Sequence, residues 1–261
     1  MTFDFLVERN KYPMNLIFNM DETWVSTEKL FSNEYVITNN NIAPLIENTS
    51  CGQHITMIGC ISANGDKVRS SYILPHTLKC EKLIVENNLT KLKYWCNPSG
   101  FMNSTILCNW VREVLYPHIK EERGNSNAKA LLIVDSHCTR NDPSFIALLK
   151  QHDIHLLVIP PHLTSLVQPL DVVVYSRYKQ VFKTNNYSSN SIYTTLARSE
   201  DAYSVTFTRK IICAAWTHSC IFSKDKSSVF NRLGDNKLPE CYKRRLIAEP
   251  RRVRTNGLMR H

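Results

Sequence analysis

The sequence predicts an α/β fold in which a mixed β-sheet is flanked by helices. Three separate apolar runs, at residues 15–21, 130–135 and 154–159, have the length and β-rich content of buried strands. Helical segments lie between and after them, and that alternation implies a sheet covered by helices. Asn64 and Gly65 sit between two further β-rich stretches, the strongest short-range signal of a hairpin, so part of the sheet is antiparallel.

The elements follow in order. Residues 15–21 read as a buried strand closing on Asp21. Residues 40–50 are rich in Asn and read as a loop. Residues 54–62 form the first arm of the hairpin, and residues 68–74 return, closed by Pro75. The spacing of Ile106, Leu107, Trp110, Val111, Val114 and Leu115 predicts an amphipathic helix over 103–116. Asn103 or Ser104 caps it, and Pro117 marks its end. Residues 121–129 are a polar loop. Residues 130–135 repeat the opening pattern, a buried strand with Asp135 at its end. Asp142 and Pro143 open a short helix over 143–151. Residues 154–159 form a strand stopped by Pro160 and Pro161, and residues 170–183 form a helix after Pro169. Residues 184–204, rich in Ser, Asn and Thr, read as a loop or boundary, and 211–222 as a further helix. This is the strand and helix order of the ribonuclease-H-like fold.

The chain has 261 residues and 43% hydrophobic content, enough for one large domain with a sizeable core, with or without a tail. Lys and Arg number 32 against 23 Asp and Glu, a net charge of +9. Such an excess favours a polyanionic partner, with nucleic acid the simplest. The last 21 residues alone carry seven Lys and Arg against Glu249. Nine cysteines, odd in number and without a C-x-x-C pair, exclude a secreted disulfide scaffold and fit reduced thiols. The first residues lack the apolar core of a signal peptide, and no apolar run approaches the roughly 18 residues of a membrane helix.

Asp21 and Asp135 each close an apolar strand, the edge where ligands of α/β sheets gather. Taken singly, each serves equally well as a turn or cap acid. Converging, such carboxylates make a hard-oxygen site suited to Mg²⁺ or Mn²⁺. Asp171 opens a helix beside the last strand, where an acid also complements the helix dipole. Glu22 follows Asp21 in a strand, so alternation points it to the other face and removes it from the ligand set. His152 and His155 with Cys138 lack a second ligand pair, which sets zinc aside. Seven glycines leave no Gly-rich phosphate loop. Trp95 and Trp110 are candidates for stacking on bases, although Trp110 lies on the apolar helix face and reads as core.

The residues also carry a resemblance. Segment 19–24, Asn-Met-Asp-Glu-Thr-Trp, resembles the opening motif of the pogo, Tigger and jerky transposases. Segment 134–137, Val-Asp-Ser-His, resembles their second motif. Segment 160–172, running from Pro-Pro-His to Gln-Pro-Leu-Asp-Val, resembles the third and is the most specific of the three. Thirty-five residues separate Asp135 from Asp171. This group is related to centromere protein B and to mariner-like transposases.

The resemblance implies a DDE endonuclease or strand-transfer domain. Two divalent ions, Mg²⁺ or Mn²⁺, would be held by Asp21, Asp135 and Asp171, and DNA would be the partner. It divides the chain into a catalytic core at 1–183, a helical extension at 184–240 and a basic tail at 241–261. His137, His162 and Gln168 sit in its motifs as candidates for contacting phosphate or bracing the acids; the two histidines serve equally as organisers of their own loops. Lys243, Arg244, Arg245, Arg251, Arg252 and Arg254 would track the DNA backbone; the alternative is a solvated tail or a nuclear import signal at 243–245. A nuclear location is therefore expected, and a homodimer is left open. The rival reading is a domesticated, non-catalytic DNA or chromatin-binding protein. The group's usual N-terminal helix-turn-helix modules do not fit in the 20 residues before Asp21, which leaves recognition of transposon ends open.

Overall fold

The computed structural model describes residues 11–26, 54–75, 92–184 and 191–222. The Asn-rich segment 40–50 and the tail cations Lys243, Arg244, Arg245, Arg251, Arg252 and Arg254 lie outside these residues.

Six strands form one mixed sheet: β1 (Ile17–Ser26), β2 (His54–Ser62), β3 (Ser71–Pro75), β4 (Lys93–Asn97), β5 (Ala130–Val134) and β6 (Ile154–Val158). Their order is β4-β3-β2-β1-β5-β6. β1 runs antiparallel to β2 and parallel to β5, β2 antiparallel to β3, and both outer pairs are parallel. The central strands are apolar on both faces because both faces are covered. Along β1 and β5, Ile17, Leu131 and Ile133 enter one core, and Phe18, Met20, Leu132 and Val134 the other.

The second core is closed by α1 (Ser104–Trp110), α2 (Tyr116–Arg123) and α3 (Pro143–Gln151). The first is closed by α5 (Tyr175–Thr184), α6 (Ile192–Thr206) and α7 (Arg209–Ser219), which follow the one-turn α4 (Thr164–Val167). Asn103 caps α1 through Ile106 N, and Asp142 caps α3 through Ser144 N and Phe145 N, as their positions predicted. Trp110 is fully buried.

Several expectations needed correction. Pro117 does not end its helix. Tyr116 N–H donates to Val111 O five residues back, and the wide turn Val111–Leu115 leads through Pro117 into α2. A π turn shifts the carbonyl that the proline ring would otherwise strike. The stretch 184–204 is no mere loop: it contains most of α6, whose Leu196, Ala202 and Tyr203 are buried. Its polar residues mislead because Ser199 bonds Tyr72 and Tyr178 inside the core. β4 was not anticipated; it is short and half-buried, and its Trp95 lies under Lys93 with the cation 5.4 Å from the ring centroid. The hairpin is present with a longer connection: Ile61 bridges Lys67, and regular pairing resumes at Ser71.

Candidate metal centre

β1 is ten residues long, so Asp21 falls within the strand rather than at its end. The edge exists all the same, because β5 accompanies β1 only at Ile17, Phe18 and Asn19. Beyond Asn19 the β5 side of β1 is open, and the chain leaving β5 places Asp135 beside that notch. Asp21 is buried, 8% exposed. Carboxylate oxygens of Asp21, Glu22 and Asp135 lie within 4.8 Å of one another. Asp171 comes from the π turn Leu170–Val174, which anchors Leu170 and Val174 in the core and brings its carboxyl near enough to act on Asp21.

Glu22 therefore joins the acids, against the expectation from strand alternation. Its backbone does point to the opposite face. Past Asn19 no strand among the described residues pairs along that edge, and Glu22 Oε2 meets Arg140 Nη2 at 2.6 Å. Arg140 is fully buried and also donates from Nε to Asp135 Oδ1 at 3.2 Å and from Nη1 to Thr139 Oγ1 at 3.0 Å. One guanidinium thus binds two of the acids.

Burial raises the Asp21 carboxyl well above the usual Asp range, and Asp171, Glu22 and Asp135 add to the effect. Burial also raises Asp171, against the opposing pull of its hydrogen bond to Asp21 and of Lys179. Burial disfavours the charged form of Arg140, but Glu22, Asp135 and Asp21 outweigh it and raise its pKa.

Three residues beyond the predicted set hold this geometry. Asn19 Nδ2 donates to Ile133 O at 3.1 Å, and its Oδ1 accepts from Leu170 N at 3.0 Å. It thereby ties β1, β5 and the Asp171 turn together. Tyr175 donates its hydroxyl to Asp21 O at 2.6 Å and accepts from Gly59 N at 3.2 Å. Gly59 faces Asp21 across the β1–β2 pair, and a Cβ there would lie 2.7 Å from the Tyr175 hydroxyl. A buried Asn inside an apolar strand was the one readable signal; Tyr175 and Gly59 gave none.

The remaining candidates separate. His137 is exposed and caps the turn Cys138–Asn141 through Thr139 N, so it organises its own loop. His162 is exposed on a turn with φ 67°. Gln168 is fully buried, and neither its amide oxygen nor its nitrogen finds a hydrogen-bond partner among the described residues. His152 stacks on Tyr116 at 3.7 Å, and His155 bonds Tyr12.

The donor set fits a hard divalent cation. Carboxylate oxygens are its preferred ligands, and Glu22 Oε1 is buried among them without a partner. Asp21, Glu22 and Asp135 could hold the ion together; Asp171 acts electrostatically on Asp21 but lies outside that group.

A family model described as DDE superfamily endonuclease matches residues 53–230, a span that holds Asp135 and Asp171. Among solved structures, a pre-cleavage Mos1 transpososome matches with TM-score 0.58 at 11% identity, covering 88% of this chain and 60% of that chain. The Mos1 mariner paired end complex with Mn matches with TM-score 0.52 at 13% identity, covering 85% and 60%. The catalytic domain of Mos1 mariner transposase matches with TM-score 0.54 at 11% identity, covering 88% and 89%. The chain spans about 60% of the length of the chains in the two assembled complexes. The shared architecture is the ribonuclease-H-like mixed sheet flanked by helices.

Proposed function

This chain belongs to the DDE superfamily endonucleases, and on that premise we propose that it is a divalent-metal-dependent DNA endonuclease or strand-transfer domain. The observation that carries the reading is the convergence of Asp21, Glu22 and Asp135 oxygens within 4.8 Å, with Asp171 close enough for its charge to raise the Asp21 carboxyl. Bound Mg²⁺ or Mn²⁺ would supply Lewis-acid activation of a water or DNA 3′-hydroxyl and stabilise the leaving oxygen, the arrangement of a two-ion site. Asp21, Asp135 and Asp171 hold the ions, and Glu22 is added as a further ligand. Asn19 and Tyr175 fix where Asp21 stands, and the buried setting strengthens every charge interaction within it. The Mos1 structures include complexes with transposon ends and with Mn, which supports DNA as substrate and Mn²⁺ as a competent ion. The net +9 charge supports the same partner. Tail cations 243–254 are assigned to the DNA backbone, on the strength of the basic balance of the last 21 residues, and a nuclear location goes with that partner. No helix among the described residues is long and apolar enough to cross a membrane.

A domesticated, non-catalytic DNA-binding role is the second reading. The Arg140 ion pairs favour it, since they give Glu22 and Asp135 a structural use without metal. Incubation with supercoiled DNA and Mn²⁺ separates the two. Nicking that disappears in Asp135→Ala is expected. Absence of nicking, together with no Mn²⁺ site lost in Asp21→Asn by titration calorimetry, would leave the second reading standing.

A further inference from the structure

Among the described residues, four large apolar side chains are markedly exposed, and two of them belong to one aromatic stack. Trp24 is 51% exposed and Phe101 56% exposed. His54 lies between them, with its ring 6.2 Å from Trp24 at 11° and 3.8 Å from Phe101 at 27°. The His54 ring is thus stacked with each of its two aromatic neighbours.

The stack is held rigidly. His54 Nε2 bonds Thr56 Oγ1 at 3.1 Å, and Thr56 Oγ1 donates to Gly100 O at 2.7 Å. The buried Asn97 accepts from Gly100 N and donates to Phe101 O, both at 2.6 Å. Gly100 sits at φ 69°, and a Cβ there would come within 2.3 Å of His54 O, so only glycine lets this loop approach. Four hydrogen bonds therefore present Phe101 to solvent over His54 instead of folding it into the core. Burial lowers the His54 pKa.

Position identifies the occupant. Trp24 shares the sheet face of Glu22, two residues on, about 7 Å along the strand. An aromatic platform two residues along the strand from Glu22, one of the clustered acids, on a chain of net charge +9, suits a flat ligand carried on a polyanion. We propose that Trp24, His54 and Phe101 form a stacking platform for an unpaired nucleobase of the DNA strand lying at the metal centre. Every base has a π-face, so the platform tolerates any sequence and selects for bases that have left the duplex stack. This inference rests on the endonuclease reading of the acidic cluster.

The test uses the full chain, in EDTA, and a short DNA duplex with a single-stranded overhang carrying 2-aminopurine. Wild type is expected to quench the 2-aminopurine. Trp24→Ala and Phe101→Ala should each weaken overhang binding about tenfold, leave a blunt duplex within about twofold, and retain the wild-type melting temperature. Val205→Ala, an exposed apolar residue elsewhere, should change nothing. If both aromatic variants bind and quench like wild type, the platform is overturned. The same preparations, assayed for Mn²⁺-dependent nicking, keep the two ideas apart. Nicking that requires Asp135, with overhang binding indifferent to Trp24, overturns the platform alone. Overhang binding that needs Trp24 in a chain that neither nicks nor binds Mn²⁺ upholds the platform and overturns the metal-centre reading.

Discussion

Asp21 is the residue on which the site turns. It is buried, three carboxylates surround it, and its own carboxyl is raised as a result. The folded chain keeps this proton at pH values where the unfolded chain, near the ordinary Asp pKa of about 4, has released it. A folded state that binds the extra proton loses stability as pH rises through that window. Stability from Asp21 is therefore highest at and below the ordinary Asp range and declines from there toward its raised value. In EDTA, Asp21→Asn is expected to gain melting temperature relative to wild type as pH rises through this interval. A difference that stays flat would contradict the charge arrangement. Arg140 shows what one residue cannot reveal in isolation. In sequence it is an ordinary basic residue of a loop. Folded, it is completely buried between Glu22 and Asp135, partners 118 and five residues away.

At the scale of elements, the site depends on β1 outlasting β5. Asn19 is the last residue of β1 paired with β5, and Asp21 begins the open edge. Tyr175 sets the other side of the strand by bonding the backbone of both Asp21 and Gly59. Gly59→Ala puts a methyl 2.7 Å from that hydroxyl and is expected to cost about 1–3 kcal/mol by urea denaturation. Tyr175→Phe removes the atom in closest conflict and should recover part of that loss in the double variant, a coupling read from a double-mutant cycle. Additive losses would show that Tyr175 is not what Gly59 accommodates. The wide turns at Val111–Leu115 and Leu170–Val174 illustrate what periodicity hides. Apolar residues still recur at helical spacing through both, so the sequence reads as plain helix, while the first turn carries the chain past Pro117 and the second seats Asp171 beside Asp21.

At the scale of the whole molecule, a ligand that binds only the folded chain stabilises it by mass action. Mn²⁺ at about one hundred times its Kd should add about 2.7 kcal/mol. A melting temperature that rises with Mn²⁺ in wild type and stays put in Asp135→Ala is the expected result; equal rises in both would place the ion elsewhere. The sequence by itself determined the buried strands β1, β5 and β6, the hairpin, the capped helix α3 and the placing of Asp135 and Asp171 at element ends. Those features follow from local chemistry, namely apolar runs, Asn-Gly, Asp-Pro and the length of a strand. Only the tertiary structure decided that Glu22 turns toward Asp21, that Arg140 binds two of the acids, that Asn19 and Tyr175 fix the notch, and that Trp24 and Phe101 share one stack. Each of those depends on contacts between segments far apart in the chain, where the open edge of β1 beyond β5 overrides the alternation that a strand would otherwise impose.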